Sequence, residues 1–468
     1  MTRYTLTILD EHYERLRSLL LRDELEYGAL MMCGRSRHID PWTGELEERA
    51  LVREVIDVGL DAFSERTATS MTWETKPILS LAKRAMTKGF ALCIAHSHPR
   101  GGLEFSPKDD VADADSMHII FNRMDSDRPH FSLIMDKEGE LVGRAFGSDL
   151  KPAPISMIRI VGDRFTVRYP GRELRQSRDE FDRNVRTFGP QAVADFSELR
   201  IGIIGNGGTG SAVASLLGRL GSPRLLLVDN DRVERTNLNR MHFSQLSDAI
   251  LRHKKVEVVA RGLAAIGLTD IVVIRDGFVD SPGVRDALLS CDLIFGCTDD
   301  DIGREFLNRI AHFYLIPVID VGLLIEPNDS GGYDVFDGRV TVIQPGYPCQ
   351  LCRNLISTTR MLEQDMVRRD PELFEQRRRA GYVVGGTAPN PAVVTFTTEV
   401  ACMAVNEMLH RLTGFRGTES RASERVRNFR LLKDSDSLPA GASNDECPLC
   451  GLRKWDGRGD MEPFLNRT

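Results

Sequence analysis

The sequence predicts an α/β protein in two parts: an N-terminal α/β domain over 1–148 and a Rossmann-like, doubly wound domain over 178–468, joined by a linker over 149–177. Three observations predict it. The apolar run 199–204 leads into Gly205-Asn206-Gly207-Gly208-Thr209-Gly210 and then a helical pattern over 212–220, which is strand, tight turn and helix. Two further apolar runs, 224–228 and 293–297, deliver carboxylates at Asp229 and Asp299, where parallel strands of an open sheet present their ligand-binding ends. In the N-terminal half, short apolar runs alternate with helical stretches, and one of them, 90–95, ends in His96-Ser97-His98.

Residues 4–21 begin as alternating strand and continue as helix, with Leu16, Leu19 and Leu20 at helical spacing. Runs 29–33 and 51–60 read as strands and 76–88 as a helix. Alternation along a strand puts His96 and His98 on one face, so both imidazoles can share a metal. Asp109, where a helix over 109–124 begins, can complete a three-ligand set with water in the fourth position. The pattern His-x-His, seven residues, Ser106, two residues, Asp109 resembles the JAMM (JAB/MPN) metalloprotease family over about 20–124. The resemblance implies catalytic zinc on His96, His98 and Asp109, and an oxyanion contact from Ser106. It also implies an upstream glutamate that activates the water, placed at Glu26 with Glu24 as the alternative. A strand pair over 131–135 and 141–146 follows, then the connection over 147–177, with a possible strand at 164–169.

In the second half, Gly205 permits the turn, Gly207 lets backbone N–H groups approach a phosphate, and Gly210 lets helix and strand pack closely. The helix N-terminus then faces the phosphate. Asp229 suits a ribose hydroxyl. The stretch Val233-Glu234-Arg235-Thr236-Asn237-Leu238-Asn239-Arg240, with Lys255 beyond it, supplies cations that a triphosphate needs and a nicotinamide does not. Asp299 is placed to hold Mg²⁺ against phosphates.

These motifs, with Thr298-Asp299, Arg304 and Asn308, resemble the adenylation domain shared by ubiquitin-activating enzymes and the ThiF family, over about 181–450. The resemblance implies that Asp229 binds the ATP ribose, that Asn237, Arg240 and Lys255 hold phosphates, and that Asp299 positions Mg²⁺. The implied reaction is adenylation of the C-terminal carboxylate of a ubiquitin-like protein, with release of pyrophosphate. Residues 178–189 resemble the family segment whose arginine crosses a dimer to the partner's ATP, which implies a homodimer with Arg183 as that cation. The plainer reading of this segment is a solvated, charged helix.

Of nine cysteines, Cys349, Cys352, Cys447 and Cys450 form two C-x-x-C pairs, and ThiF-type proteins carry such pairs at corresponding places as one structural zinc site. Between the pairs, the charged stretch 357–381 reads as a mobile loop or loose helix crossing the active face, 385–391 as a turn and 393–412 as a helix. No cysteine lies in 353–399, and Cys33, Cys93, Cys291, Cys297 and Cys402 read as packing. The expected route is therefore direct hand-off of the adenylate to a separate conjugating enzyme or sulfur-transfer protein.

The net charge of −7 over 468 residues gives no basic excess for nucleic acid. No apolar run is long enough for a bilayer and no signal-peptide pattern opens the chain, so a cytoplasmic protein is expected. The combined expectation is a bifunctional enzyme that adenylates a ubiquitin-like protein and hydrolyses peptide or isopeptide bonds at the same C-terminus. Bacterial ubiquitin-like conjugation systems have this pattern, with antiphage defence as the setting it implies. The alternatives are a sulfur-carrier adenylyltransferase with a trimming protease, and a non-catalytic scaffold that binds a ubiquitin-like protein.

Overall fold

The computed structural model describes residues 2–124, 127–172, 178–222, 224–269, 271–379, 391–417, 422–437 and 444–461. It divides into two units, Met1–Glu173 with Phe313–Leu315 and Asp456–Thr468, and Leu174–His312 with Ile316–Trp455.

The first unit starts with β1 (Thr2–Leu9), α1 (Asp10–Leu20), β2 (Gly28–Ile39) and β3 (Leu46–Asp57). A small hairpin, β4 (Phe63–Arg66) and β5 (Met71–Trp73), precedes α2 (Lys76–Met86) and β6 (Ala91–His98). The unit continues with α3 (Pro107–Met124), β7 (His130–Asp136), β8 (Leu141–Phe146), β9 (Pro152–Val161) and β10 (Phe165–Arg168). The main sheet runs β1-β3-β2-β6-β7-β8-β9-β10 and closes on itself through a further β1–β9 pairing. β6 and β7, inside the sheet, are buried along nearly their whole length, which is why β6 opens as a continuous apolar run. Leu16 and Leu20 of α1 pack on one face with Leu6, Ile8 and Met31, and Ile78 of α2 and Met117 and Ile120 of α3 pack on the other with Leu30 and Leu92.

Two expectations about the limits of this unit are corrected. Residues 152–161, read as part of a connection, form β9, with Ile155, Ile158 and Ile160 in the core, while β10 falls on the possible strand at 164–169. Pro152 and Pro154 concealed the strand, yet Pro152 is the first residue of β9, where proline is tolerated. Residues 456–461, assigned to the second domain, belong to the first unit, where Gly459 bridges Arg35 and Asp460 accepts the Arg37 N–H at 2.6 Å. Gly34 is required there, because a Cβ on it would meet the Gly457 carbonyl oxygen at 1.9 Å.

His130 is fully buried, and its Nδ1 accepts the Leu92 N–H at 3.0 Å, so it folds as the neutral imidazole. Burial, helped by the charge of Arg128, pushes it down to about 4. Its folded value is thus below the unfolded one, so its contribution to stability is complete above about 6.5 and is lost as pH falls towards 4. Between pH 7 and pH 5 this unit should lose about 2 kcal/mol on account of His130. His130→Gln should remove that part of the pH dependence in urea unfolding of the full chain; an unchanged slope would refute it.

The second unit opens with α4 (Asp182–Phe188) and α5 (Pro190–Phe196), then β11 (Arg200–Ile204), α6 (Gly208–Leu220) and β12 (Arg224–Asp229). Next come α7 (Leu246–Leu251), α8 (Lys255–Ile266), β13 (Ile271–Asp276), α9 (Pro282–Leu288), β14 (Leu293–Gly296) and α10 (Asp301–Tyr314). The remainder is β15 (Val318–Pro327), β16 (Tyr333–Ile343), α11 (Thr358–Arg369), α12 (Pro371–Arg379), α13 (Val394–Thr413), β17 (Glu424–Asn428) and β18 (Lys433–Ser437). The sheet order is β13-β12-β11-β14-β15-β16-β17-β18, parallel from β13 to β15 and antiparallel beyond. Strand order reverses between β11 and β14, which is where open sheets of this kind bind ligands.

Over its described part the stretch 357–381 takes the helical of the two expected forms. Ser357 caps α11, accepting the Arg360 N–H, and α12 follows directly. The expected turn at 385–391 lies, except for Pro391, outside the described residues.

Candidate functional site

The first cluster lies at the C-terminal end of β6. His96 and His98, two apart on one strand, aim both Nε2 atoms at each other across 3.1 Å. Asp109, in the first turn of α3, places Oδ1 at 3.1 Å from His96 Nε2 and Oδ2 at 3.4 Å from His98 Nε2. A tetrahedral zinc with bonds of about 2.0–2.1 Å has ligand–ligand edges of roughly 3.3 Å, so these atoms fit one ion. The Nδ1 of His98 lies 3.0 Å from the Gly102 carbonyl; donating there leaves Nε2 bare for a metal. Burial would raise the Asp109 carboxyl, but hydrogen bonds from both histidines, the charge on His96 and a bond from Ser106 hold it far below the usual range. The Ser106 hydroxyl oxygen accepts the Asp109 N–H at 3.3 Å, and the Ser106 N–H donates to Asp109 Oδ2 at 2.6 Å.

Glu26 precedes β2, whose Gly28 pairs with His96. The β4–β5 hairpin fixes its backbone: Glu26 N–H donates to Thr67 O at 2.8 Å, and Arg66 donates to its carbonyl at 2.9 Å. Its carboxyl is raised by burial, against the pull of His96 and His98. Glu24, the alternative, is exposed and faces Arg100 at 3.4 Å.

Sequence reasoning missed Arg144, on β8. It donates to Asp113 at 2.8 Å, to Asp110 and to the Asp109 carbonyl at 3.0 Å, and stacks 3.9 Å from the Phe105 ring centroid. It therefore sets the first turn of α3 and with it Asp109; an arginine on another strand carries no spacing signal. Arg144→Met should weaken zinc binding about 10- to 100-fold, the usual cost of losing a partner that orients a ligand. Arg144→Lys should restore part of it, and equal zinc titrations for wild type and Arg144→Met would refute this.

The second site is a cavity of ≈ 830 Å³ at the β11/β14 switch point, lined by Gly205, Gly207, Asp229, Asn237, Arg240, Lys255, Asp299 and Arg304 among others. Gly205 has φ +84° and a Cβ on it would meet Cys297 O at 2.6 Å; a Cβ on Gly210 would meet Gly205 O at 1.7 Å. Gly207 has nothing within 4 Å of a Cβ position, so its surroundings are open. Asp229 accepts the N–H groups of Asn206 at 2.6 Å and Asp231 at 2.8 Å, and burial raises its carboxyl against the charge of Lys255. Lys255 donates to Asp231 at 2.6 Å, Asn237 Oδ1 accepts the Glu234 N–H at 3.0 Å, and the Arg240 side chain lies over Gly208. Asp299 is exposed to the cavity and has no protein partner among the described residues, which leaves both oxygens available to a cation. Arg183, by contrast, is exposed on α4 and is not in this lining.

Helix α11 forms part of the wall. Arg360 donates to buried Asp301 at 2.9 Å, and the Gln364 side chain accepts the Asp301 N–H at 2.9 Å. Arg368 binds Asp280 through two bonds, of 3.0 and 2.7 Å, while lying 3.7 Å over the Phe278 ring. Arg368, read as part of a solvated basic run, is thus paired within the cavity wall.

The four paired cysteines come together. Cys349 Sγ lies 3.8 Å from Cys352 Sγ and 3.6 Å from Cys447 Sγ, and Cys352 Sγ lies 3.4 Å from Cys450 Sγ. A tetrahedron with zinc–sulfur bonds of about 2.3 Å has edges of roughly 3.8 Å, so the four can hold one closed metal. Cys33, Cys93 and Cys291 are buried, whereas Cys402, expected as buried packing, is only half-buried on α13, and Cys297 is half-buried at the cavity.

A doubly wound sheet with a glycine turn, an acidic second-strand end and phosphate-side cations defines a nucleotide-binding domain, and a three-ligand cluster marks the other unit. The chain belongs to the ThiF family, whose model matches residues 181–449, and the model of prokaryotic homologues of the JAB domain matches 10–144, so the two are fused in one chain. It is 26% identical over 164 residues to the SAMP-activating enzyme E1 of Haloferax volcanii, covering 35% of this chain and 56% of that protein. It is 29% identical over 181 residues to the molybdopterin-synthase adenylyltransferase of Escherichia coli, covering 38% and 67%. To the ubiquitin-like modifier-activating enzyme 5 of Drosophila persimilis it is 35% identical over 220 residues, covering 42% and 53%. The chain thus spans little more than half the length of two of these three curated relatives. Among solved structures it is similar to E. coli MccB with ATP, at 16% identity and a TM-score of 0.45, covering 59% of this chain and 75% of that one. No described helix is long and apolar enough to cross a membrane.

Proposed function

We propose that the protein is a bifunctional enzyme that adenylates the C-terminal carboxylate of a ubiquitin-like protein with ATP and hydrolyses peptide or isopeptide bonds at that same terminus. The observation that supports it most strongly is the convergence of the glycine turn, Asp229, Arg240, Lys255 and Asp299 on one cavity.

In the adenylation half, Asp229 holds a ribose hydroxyl, and the N-terminal end of α6 with Arg240, Lys255 and Asn237 holds the phosphates. Lys255 exchanges Asp231 for phosphate oxygen as ATP enters. Asp299 is the Mg²⁺ ligand, and the ion when bound neutralises phosphate charge. A carboxylate oxygen of the protein tail attacks the α-phosphorus; the bond to the oxygen bridging the β-phosphate breaks, and pyrophosphate leaves with that electron pair. The product is the acyl adenylate. Arg183 acts in trans from a second copy, so the active form is a homodimer. Among the described cysteines outside the four-cysteine cluster none is exposed, which favours hand-off to a separate conjugating enzyme or sulfur-transfer protein.

In the hydrolytic half, His96, His98 and Asp109 hold zinc, which when bound lowers the pKa of water and polarises a carbonyl. Glu26 takes the proton of the attacking water and returns it to the leaving amine. The Ser106 hydroxyl donates to the developing oxyanion. This half exposes the reactive terminus of a precursor or removes a conjugate.

The names of the relatives, a SAMP-activating enzyme and a molybdopterin-synthase adenylyltransferase among them, support a second reading in which the substrate is a sulfur carrier. The test is incubation of the full chain with ATP and candidate ubiquitin-like or sulfur-carrier proteins, each with and without a C-terminal extension. Mass spectrometry should find a carrier adenylate and loss of the extension. Absence of any adenylate, and of carrier-dependent exchange of pyrophosphate into ATP, would sink the adenylation half.

A further inference from the structure

The rung that closes the ladder between β2 and β6 is irregular. Gly28 pairs with His96, and one step further along the two chains stand Tyr27 and Ser97. At alternate rungs of an antiparallel ladder, opposed residues exchange two backbone hydrogen bonds. Here one of the two is made: the Ser97 N–H donates to Tyr27 O at 3.0 Å. The other is replaced, because the Tyr27 N–H donates to the Ser97 hydroxyl oxygen, also at 3.0 Å. Both residues are fully buried. The exchange of a backbone acceptor for a side-chain one falls where the chain leaves the sheet. The residue before Tyr27 is Glu26, whose N–H goes to Thr67 O in the β4–β5 hairpin.

Strand alternation decides what this rung positions. His96 and His98 project from one face of β6 and Ser97 from the other. Tyr27 lies on the Ser97 side, in the core cluster with Ala29, Met31, Cys93 and Ala95. Glu26 is thereby turned to the histidine side, where its carboxyl feels the charge of both imidazoles. The Tyr27 side chain is itself anchored. Its hydroxyl donates to Asp57 at 2.5 Å, and its ring lies 4.9 Å from Phe63 and under the guanidinium groups of Arg22 and Arg66. Ser97 supplies both bonds that fix the Tyr27 peptide against the strand carrying the two histidines.

A general base works only within hydrogen-bond reach of the proton it takes, and a displacement of about 1 Å can cost roughly 100-fold in rate. We propose that Ser97 is a positioning residue for hydrolysis: by accepting the Tyr27 N–H, its hydroxyl sets Glu26 at its working distance from the metal site of His96 and His98. This rests on the hydrolytic reading and adds to it a residue whose side chain faces away from metal and substrate.

The test compares wild type, Ser97→Ala and Ser97→Thr as zinc-loaded full chains. Ser97→Ala takes away the acceptor of the Tyr27 N–H, so deuterium exchange at that amide should quicken about 10-fold, the worth of one hydrogen bond, with zinc content unchanged. In single-turnover cleavage of a C-terminally extended carrier, Ser97→Ala should be slower by about 10- to 100-fold. Ser97→Thr keeps the hydroxyl and should stay close to wild type in both measurements. In a Glu26→Gln background Ser97→Ala should cost nothing further, because the group it positions is already gone. Unchanged exchange at Tyr27 would overturn the clamp whether or not any carrier is cleaved. Cleavage by Ser97→Ala at the wild-type rate, loss of its zinc, or an equal slowing in both backgrounds would overturn the positioning role. If wild type cleaves no carrier, the hydrolytic reading fails separately and the exchange rate alone decides on the clamp. Should Ser97→Ala be unfolded by circular dichroism, Ser97→Cys, close in size but with a weak acceptor, carries the same measurements.

Discussion

Glu26→Gln should leave zinc binding intact and slow hydrolysis at the carrier terminus by about 10²- to 10⁴-fold, the range for removing a general acid–base group. The substitution keeps the side chain's size, and the backbone at 26 is fixed by Thr67 and Arg66, neither of which depends on the carboxylate. The carboxyl is itself buried beside His96 and His98, so a neutral amide there relieves rather than creates a desolvation cost. Glu24→Gln is the matched control, because Glu24 is exposed and turned to Arg100. The measurement is single-turnover cleavage of a C-terminally extended carrier with zinc content assayed in parallel. A loss with Glu24→Gln equal to that with Glu26→Gln would remove Glu26 from its role.

Asp299→Ala should abolish carrier adenylate formation, on the order of 10³-fold or more, because the several kcal/mol that a bound cation contributes to phosphoryl-group charge stabilisation would be gone. Asp299 makes no protein contact among the described residues, so its removal leaves the fold undisturbed. Asp300 and Asp301 are different: Asp300 accepts the Gly303 N–H at 2.6 Å and Asp301 is buried under Arg360, so both are structural at the start of α10. Adenylate formed by wild type and Asp299→Ala at saturating Mg²⁺ decides the matter. Hydrolysis by Asp299→Ala should equal wild type, and adenylation by Glu26→Gln should too; if either variant lost both activities, independent sites would be excluded.

What the chain reveals in one dimension follows the range of the interactions involved. Gly205 and Gly210 are legible because local backbone geometry demands them, and His96 and His98 because strand alternation puts them on one face. Partners that meet through the sheet are not legible: Arg144 reaches Asp109 across 35 positions, and Ser97 meets Tyr27 only because β6 pairs with β2. Strand β9 was hidden for the opposite reason, since Pro152 and Pro154 punctuate it while its apolar residues pack inward. Within 357–381 the helix crossing the cavity was legible, but the partners of its charges were not: Arg360 and Arg368 pair with Asp301 and Asp280, far away in sequence.

The Gly34–Gly457 approach bears on how the protein can be dissected. A fragment cut after β10 retains the histidine cluster but lacks the strap, 456–461, that seals the backbone of β2 through Arg35 and Arg37. Such a fragment has an open seam along a strand whose other end leads to Glu26. Grafting 456–461 behind a short flexible tether would close it, and a truncated first unit that behaves poorly without the graft reports the missing seam rather than a missing side chain of the histidine cluster.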